Sequence, residues 1–334
     1  MKLSYSGNSK YGLCPRKYKH HYIDRLRTNS LPSPLFFGGA LDEAFSRLLL
    51  EKKPFLTDSE LDMQLNYTAE ECFERKMLEV SNNGELVKLA MSPHAEYFSS
   101  DFSPELIAGK QLGLLQLVEK SYSLSDFIDF HESCKEQLRA RKKLQKDDQI
   151  LYNYLSWLSL VEKGKLMVSA YRTDVLPQIS TVYDIQKPIS IKNEDGDEIN
   201  GLIDVICSFT EEPDRKFVTD NKSSSKPYEE NSVVESEQLA TYCEAEKIPD
   251  AAFIVVQKKL FKKSPVIRTQ VITGTIPEEK YVKTFDMYSK TVYNVQTELF
   301  PQNWDSCFAF GRTCEFFKLC KYNKMDGLIK MDKK

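Results

Sequence analysis

Nowhere in these 334 residues do about 18 apolar side chains run together, so no membrane-spanning helix is expected. The first residues hold no apolar run of signal-peptide length, which argues against export. The expected compartment is a reducing cytoplasm. There the eight cysteines are not disulfides, and metal ligation and plain burial are the open readings. Paired CxxC spacings are missing, and with them the usual knuckles of a zinc site. No internal repeat and no low-complexity linker interrupts the chain, so both ends are expected to fold back onto it. Strong charge of one sign is absent too, and a net charge of −3 does not mark a nucleic-acid binder.

What is present is the composition of an ordinary soluble protein, 41% hydrophobic and 28% charged, long enough for one elaborated domain or two smaller ones. Basic residues gather locally. Lys10, Arg16, Lys17, Lys19, Arg25 and Arg27 form one group, RARKKLQK at 139–146 a second, and Lys258, Lys259, Lys262, Lys263 and Arg268 a third. Each alone reads as a solvated face, and together they matter only if a phosphate-handling site lies between them.

Apolar spacing near 3.6 predicts helices through FFGGALDEAFSRLLLEKK, SELDMQLNYTAEECFERKMLEV and DFIDFHESCKEQLRARKKLQKDDQILYNYLSWLSLVEK, the last capped at Gly164. From about residue 168 the period changes. YDIQKPISIK and DEINGLIDVICSF read as a hairpin turning at Asp195-Gly196, and KFVTD, AAFIVVQKKLF and VIRTQVITGTI read as further strands. SVVESEQLATYCEAEKI reads as one helix between them, and a final helix runs from about Glu278 to Leu299. The order strand, strand, strand, helix, strand predicts an α/β core with a helical insertion. The expected divisions are 1–39, an N-terminal segment; 40–165, a helical region; 166–276, the core; and 277–334, a helix and a cysteine-bearing tail.

Within the core, Asp204 stands amid Leu202, Ile203, Val205 and Ile206, and a second strand-like run ends in Asp220-Asn221-Lys222. A buried unpaired acid costs several kcal/mol, so something cationic is expected beside it. Two acids from neighbouring strands can converge on one divalent cation. A lysine two residues beyond the second acid shares its sheet face, where it can orient or deprotonate an attacking water or stabilise developing charge.

The ordered set FGGALDEAF at 37–45, GLIDVI at 201–206, VTDNKSSS at 218–225 and SEQLATY at 236–242 resembles the PD-(D/E)XK nuclease superfamily, RecB-like exonuclease group. That group includes CRISPR-associated RecB-like, AddB-like and phage exonucleases. The resemblance implies a restriction-endonuclease-like core, a mixed central sheet flanked by helices. It implies that Asp42, Asp204, Asp220 and the Asn221 carbonyl bind Mg2+ or Mn2+, and that Lys222 is the catalytic lysine. Gln238 and Tyr242 occupy the family's helix motif. Many relatives carry histidine where this chain has Asp42.

At the far end WDSCFAFGRTCEFFKLCKY holds Cys307, Cys314 and Cys320, and Cys14 in LCPRKYKHHY can complete a four-thiolate site if the ends meet. The resemblance implies a [4Fe-4S] cluster stapling the fold. Structural zinc is the alternative, with His20 and His21 near Cys14. Cys72, Cys134, Cys207 and Cys243 read as buried free thiols. Arg16, Lys17, Arg312 and Lys318, near the cysteines, are candidate DNA contacts.

The expected activity is a metal-dependent DNA exonuclease acting on single-stranded or resected DNA in phage or mobile-element recombination or replication, in the host cytoplasm if phage-encoded, with recombination or replication proteins as partners. A structure-selective endonuclease and a non-catalytic DNA-binding or adaptation module are the alternatives.

Overall fold

The computed structural model describes residues 1–28, 33–78, 123–140, 142, 144–192, 196–258, 266–311 and 313–331. Long alternating runs make β3 (Ile179–Lys192) and β4 (Glu198–Phe209) an antiparallel pair along nearly their whole length, with Gly196 at φ +79° near the turn. Asp195 lies outside the described residues. β5 (Glu212–Ser224) returns antiparallel to β4, β6 (Asp250–Gln257) lies parallel to β5, and β7 (Thr269–Thr275) runs antiparallel to β6. A short β1 (Lys2–Ser4) adds parallel to the first residues of β4. The sheet order is β1-β4-β5-β6-β7, and β3 takes the other edge of β4.

The sheet is mixed and flanked by helices on both faces. On one face α3 (Ser33–Leu49), α5 (Ala69–Leu78), α6 (Leu124–Arg139) and α7 (Lys146–Ala170) bury Phe37, Leu41, Phe45, Phe73, Phe127 and Leu158 against Val205, Cys207, Phe217 and Ile254. On the other face α8 (Glu237–Glu246) sets Leu239, Ala240 and Tyr242 against Ile206, Val218, Phe253 and Val255. A third cluster joins Leu3, Tyr11 of α1 (Tyr5–Leu13) and Tyr18 of α2 (Pro15–Tyr18) to Tyr288, Val292 and Val295 of α9 (Glu278–Gln296).

Several boundaries differ from the sequence expectation, each for a local reason. SELDMQLNYTAEECFERKMLEV breaks into α4 (Asp58–Asn66) and α5, because Thr68 and Glu71 form a reciprocal cap: Thr68 Oγ1 accepts from the Glu71 amide at 3.2 Å and Glu71 Oε2 accepts from the Thr68 amide at 2.7 Å. Gly164 does not end its helix. A Cβ there would lie 1.9 Å from Phe73 Cζ, so the glycine lets α5 cross close to α7. The path stays helical past residue 168, through a π-turn at Tyr171–Val175 and a 3-10 turn ending at Gln178. SVVESEQLATYCEAEKI starts its α-helix only at Glu237, where the Ser236 hydroxyl caps the Leu239 amide at 3.1 Å. Residues 79–122 of the helical insertion lie outside the described residues.

The ends do fold back. β2 (Leu26–Thr28) pairs antiparallel with β8 (Leu328–Lys330), Tyr11 Oη donates to the Leu299 carbonyl at 2.6 Å, and the Arg16 amide donates to the Pro301 carbonyl at 3.1 Å. No helix among the described residues is long and apolar enough to cross a membrane.

Candidate functional site

β4 and β5 stay paired only as far as Val205 and Thr219, after which they part while β5 continues along β6 to Ser224. This opening builds the site. The Asn221 amide donates to Asp204 Oδ2 at 2.8 Å, so the carboxylate bridges the gap between the strands. Alternation puts Asp220 and Lys222 on the same face of β5. Lys222 Nζ lies 2.5 Å from Asp220 Oδ2 and donates to Gln238 Oε1 at 2.9 Å. Gln238 Nε2 donates to Asp220 Oδ1 at 2.7 Å and to Tyr242 Oη at 3.1 Å. Gly201 makes room for that tyrosine, since a Cβ there would lie 2.6 Å from Tyr242 Cε1. Asp204, Asp220, Lys222, Gln238 and Tyr242, distant in sequence, thus form one connected set.

Asp42 approaches from α3 on the opposite layer, and its carboxyl is pushed up to about 6 by burial and then by the Asp220 carboxylate. Asp204 is raised well above the ordinary carboxylate range by burial, Asp220 and Asp42. Burial raises Asp220 as well, although Lys222 opposes it. Burial pulls the Lys222 ammonium down, and the Asp220 carboxylate with Asp204 outweighs it, so Lys222 stays charged. Three facing carboxylates against this one lysine leave the pocket electron-rich.

Two residues at this site gave no signal in the sequence. Tyr171, fully buried and stacked on Phe45 with ring centroids 4.1 Å apart, donates to Asn221 Oδ1 at 3.2 Å. It sits in the π-turn, an element often found where a helix has been adapted to a functional site. Tyr5, at the start of α1, has its phenol raised by burial and then by Glu237, with Lys222 and Asp220 also acting on it. Its neighbourhood follows from β1 docking on β4, a three-residue strand too short to read from periodicity.

Hard oxygen donors in excess of the cation beside them suit a divalent metal ion. Asp220 Oδ2 adds to the fit: it is buried, and its partner among the described residues is the Lys222 ammonium at 2.5 Å. Asp42, Asp204 and Asp220 are the residues that could hold such an ion. Asp204 Oδ2 and Asp220 Oδ1 are engaged by the chain's own donors, the Asn221 amide and Gln238 Nε2. Among the described residues no group of three or more His, Cys, Asp or Glu closes to metal-holding geometry.

The four cysteines of the two ends line one small cavity, with Lys17, Trp304, Phe316 and Phe317 around them. Cys14 and Cys307 are buried, Cys314 and Cys320 half-buried, and all four are free thiols. The Cys314 amide donates to the Cys307 carbonyl at 2.7 Å, which folds the tail segment on itself. Burial pushes the Cys314 thiol up to about 11 and raises Cys307 and Cys320. His20 stands beside them, Nε2 3.5 Å from Cys320 Sγ and Nδ1 2.9 Å from Asp24 Oδ2. Among the described residues His21 makes no such contact; its backbone carbonyl accepts from Arg27 at 2.5 Å. Four soft donors around one space suit an iron–sulfur cluster or zinc. Cys72, Cys134, Cys207 and Cys243 are buried apart in the helical layers and the sheet, as expected.

Two of the basic groups are committed to carboxylates. Lys17 pairs with Glu315 at 2.9 Å, Lys19 with Asp24 at 2.6 Å, and the Arg16 Nε is buried without a hydrogen-bond partner. Lys318 is exposed. Lys258 is half-buried over the Phe37 ring. Arg312, Lys259, Lys262 and Lys263 lie outside the described residues, as does part of the 139–146 run.

No protein-family model matches the chain, and no curated protein matches it. A solved structure described as "Crystal structure of SSO0001" aligns with a TM-score of 0.29 at 13% sequence identity, over 68% of this chain and 100% of that one. A likeness that weak says nothing about fold or function.

Proposed function

We propose that the protein is a metal-dependent deoxyribonuclease of the PD-(D/E)XK, RecB-like type, an exonuclease acting on DNA in the recombination or replication of a phage or mobile element. One observation carries this reading: Asp204, Asp220, Lys222 and Gln238 are linked where β4 and β5 part, with Asp42 facing them from α3. Mg2+ or Mn2+, when bound, would supply a Lewis acid for the scissile phosphate and for water. The chain's own residues do the rest. Asp42, Asp204 and Asp220 hold negative charge at one place, and Lys222 offers its ammonium to the attacking water or to charge growing on the phosphate. Gln238 fixes the distance between Lys222 and Asp220 by bonding both, and Tyr242 fixes Gln238.

The cavity of Cys14, Cys307, Cys314 and Cys320 is proposed to hold a [4Fe-4S] cluster in a structural role, with zinc as the competing occupant. Broad visible absorption of anaerobically purified protein would support iron and sulfide, whereas colourless protein with stoichiometric zinc would overturn it.

Incubation of end-labelled linear and covalently closed circular single strands with Mg2+ or Mn2+ tests the activity. Release of short products from the linear strand alone is expected. Cutting of the circle would make the enzyme an endonuclease, and binding without cutting would leave a DNA-binding module. Lys222→Ala and Asp220→Ala should each abolish cleavage while leaving the cysteine cavity loaded; cleavage by either variant would overturn the site.

A further inference from the structure

The tail beyond α9 exposes a ridge of aromatic rings that the proposed active site does not use. Phe317, in α10 (Phe317–Tyr322), is its hub. The ring of Phe308 lies 5.2 Å away, that of Tyr322 6.2 Å and that of Trp304 6.5 Å, centroid to centroid. Around this hub Phe308 is 59% exposed, Tyr322 54% and Trp304 47%. Adjacent large rings left in water mark an interaction surface rather than scattered surface apolarity.

Lysines decide what kind of surface it is. Lys321 Nζ sits 5.3 Å from the centroids of both Phe317 and Tyr322. Lys318 is 61% exposed, and its contact with Asp326 is a loose 3.8 Å ion pair between two solvated groups. Lys324 is exposed on the turn that follows α10. Rings interleaved with cations match single-stranded nucleic acid: bases stack on aromatic faces whatever their sequence, and ammonium groups meet the phosphates between them. Met325 and Met331, exposed in the same tail, carry the competing reading of a protein partner.

We propose that the Trp304, Phe308, Phe317 and Tyr322 ridge, with Lys318 and Lys321, is a stacking platform for single-stranded nucleic acid. It rests on the reading of the protein as acting on nucleic acid. Trp304 and Phe317 also line the cysteine cavity, so the fold of the cysteine tail holds the platform in shape.

Binding of a fluorescein-labelled oligothymidylate, followed by anisotropy in EDTA so that no cleavage occurs, tests it. Phe308→Ala combined with Tyr322→Ala removes two exposed rings that do not line the cavity, and melting curves check that the fold survives. Affinity should fall at least about tenfold. Lys321→Gln should weaken binding and flatten its salt dependence. In a Trp157→Phe background the remaining Trp304 fluorescence should be quenched by the oligonucleotide. Wild-type affinity in both variants would overturn the proposal, as would a wild type that does not bind. So would unchanged affinity combined with lost self-association in sedimentation, which would assign the ridge to protein contacts. Failure here is separable from failure of the nuclease reading. Protein that binds through the ridge and never cuts sinks only the nuclease, and protein that cuts while both variants bind normally sinks only the platform.

Discussion

At the scale of single residues, the site trades stability for charge. Asp42, Asp204 and Asp220 repel one another, and burial keeps water from relieving them. Asp42→Asn removes one of the three carboxylates while keeping its shape. Without divalent metal this variant should melt a few degrees above the wild type, and with Mg2+ or Mn2+ it should fail to cleave. Scanning calorimetry and the nuclease assay check the two halves. Lys10 makes a second residue-scale prediction. Its ammonium is lowered from 10.5 to about 8 by burial and then by Lys17. A folded value below the unfolded one means the unfolded chain binds more protons between those limits, so Lys10 adds stability as pH rises from about 8 towards 10.5 and penalises the fold in full below about 8. Lys10→Met should abolish its share of that rise, seen as a flatter dependence of melting temperature on pH over that window.

At the scale of elements, close approach matters more than propensity. Gly164 lies mid-helix where Phe73, wholly buried, touches the backbone of α7. Alanine is the better helix former by about 1 kcal/mol. Forcing its methyl into a well-packed contact costs about 1–3 kcal/mol. Gly164→Ala should therefore lower the denaturant midpoint, and a rise would show that the α5 and α7 contact yields to a methyl group. A glycine near the end of a periodic run reads locally as a helix end, and nothing in the local sequence reveals that Phe73, 91 residues earlier, needs the space. Thr68 is the opposite case. Its Thr-x-x-Glu spacing to Glu71 is written in the chain, and a 3.6 pattern running across it hid the break.

At the scale of the whole molecule, the two ends are one structure. β2 pairs with β8, Asn303 Nδ2 donates to the Leu13 carbonyl at 2.9 Å, and Cys14 shares its cavity with three cysteines from the tail. Cys14→Ser should raise amide exchange together in residues 1–28 and 300–331, with β4, β5 and β6 keeping their protection. Loss of protection at one end alone would show that the ends are not a cooperative unit.

The sequence by itself determined the alternating runs of β3 and β4, the order of strands and helix in the core, and the residue types at Asp204, Asp220, Lys222, Gln238 and Tyr242. Those follow from local periodicity and from the cost of placing acids among apolar neighbours. Only the tertiary structure decided where β4 and β5 part, that Asn221 spends its amide on Asp204, that Tyr171 and Tyr5 come to the site, and which way the aromatic tail faces. Each of these is set by contacts between segments far apart in the chain, where the free energy of packing, not the preference of any short stretch, selects the partner.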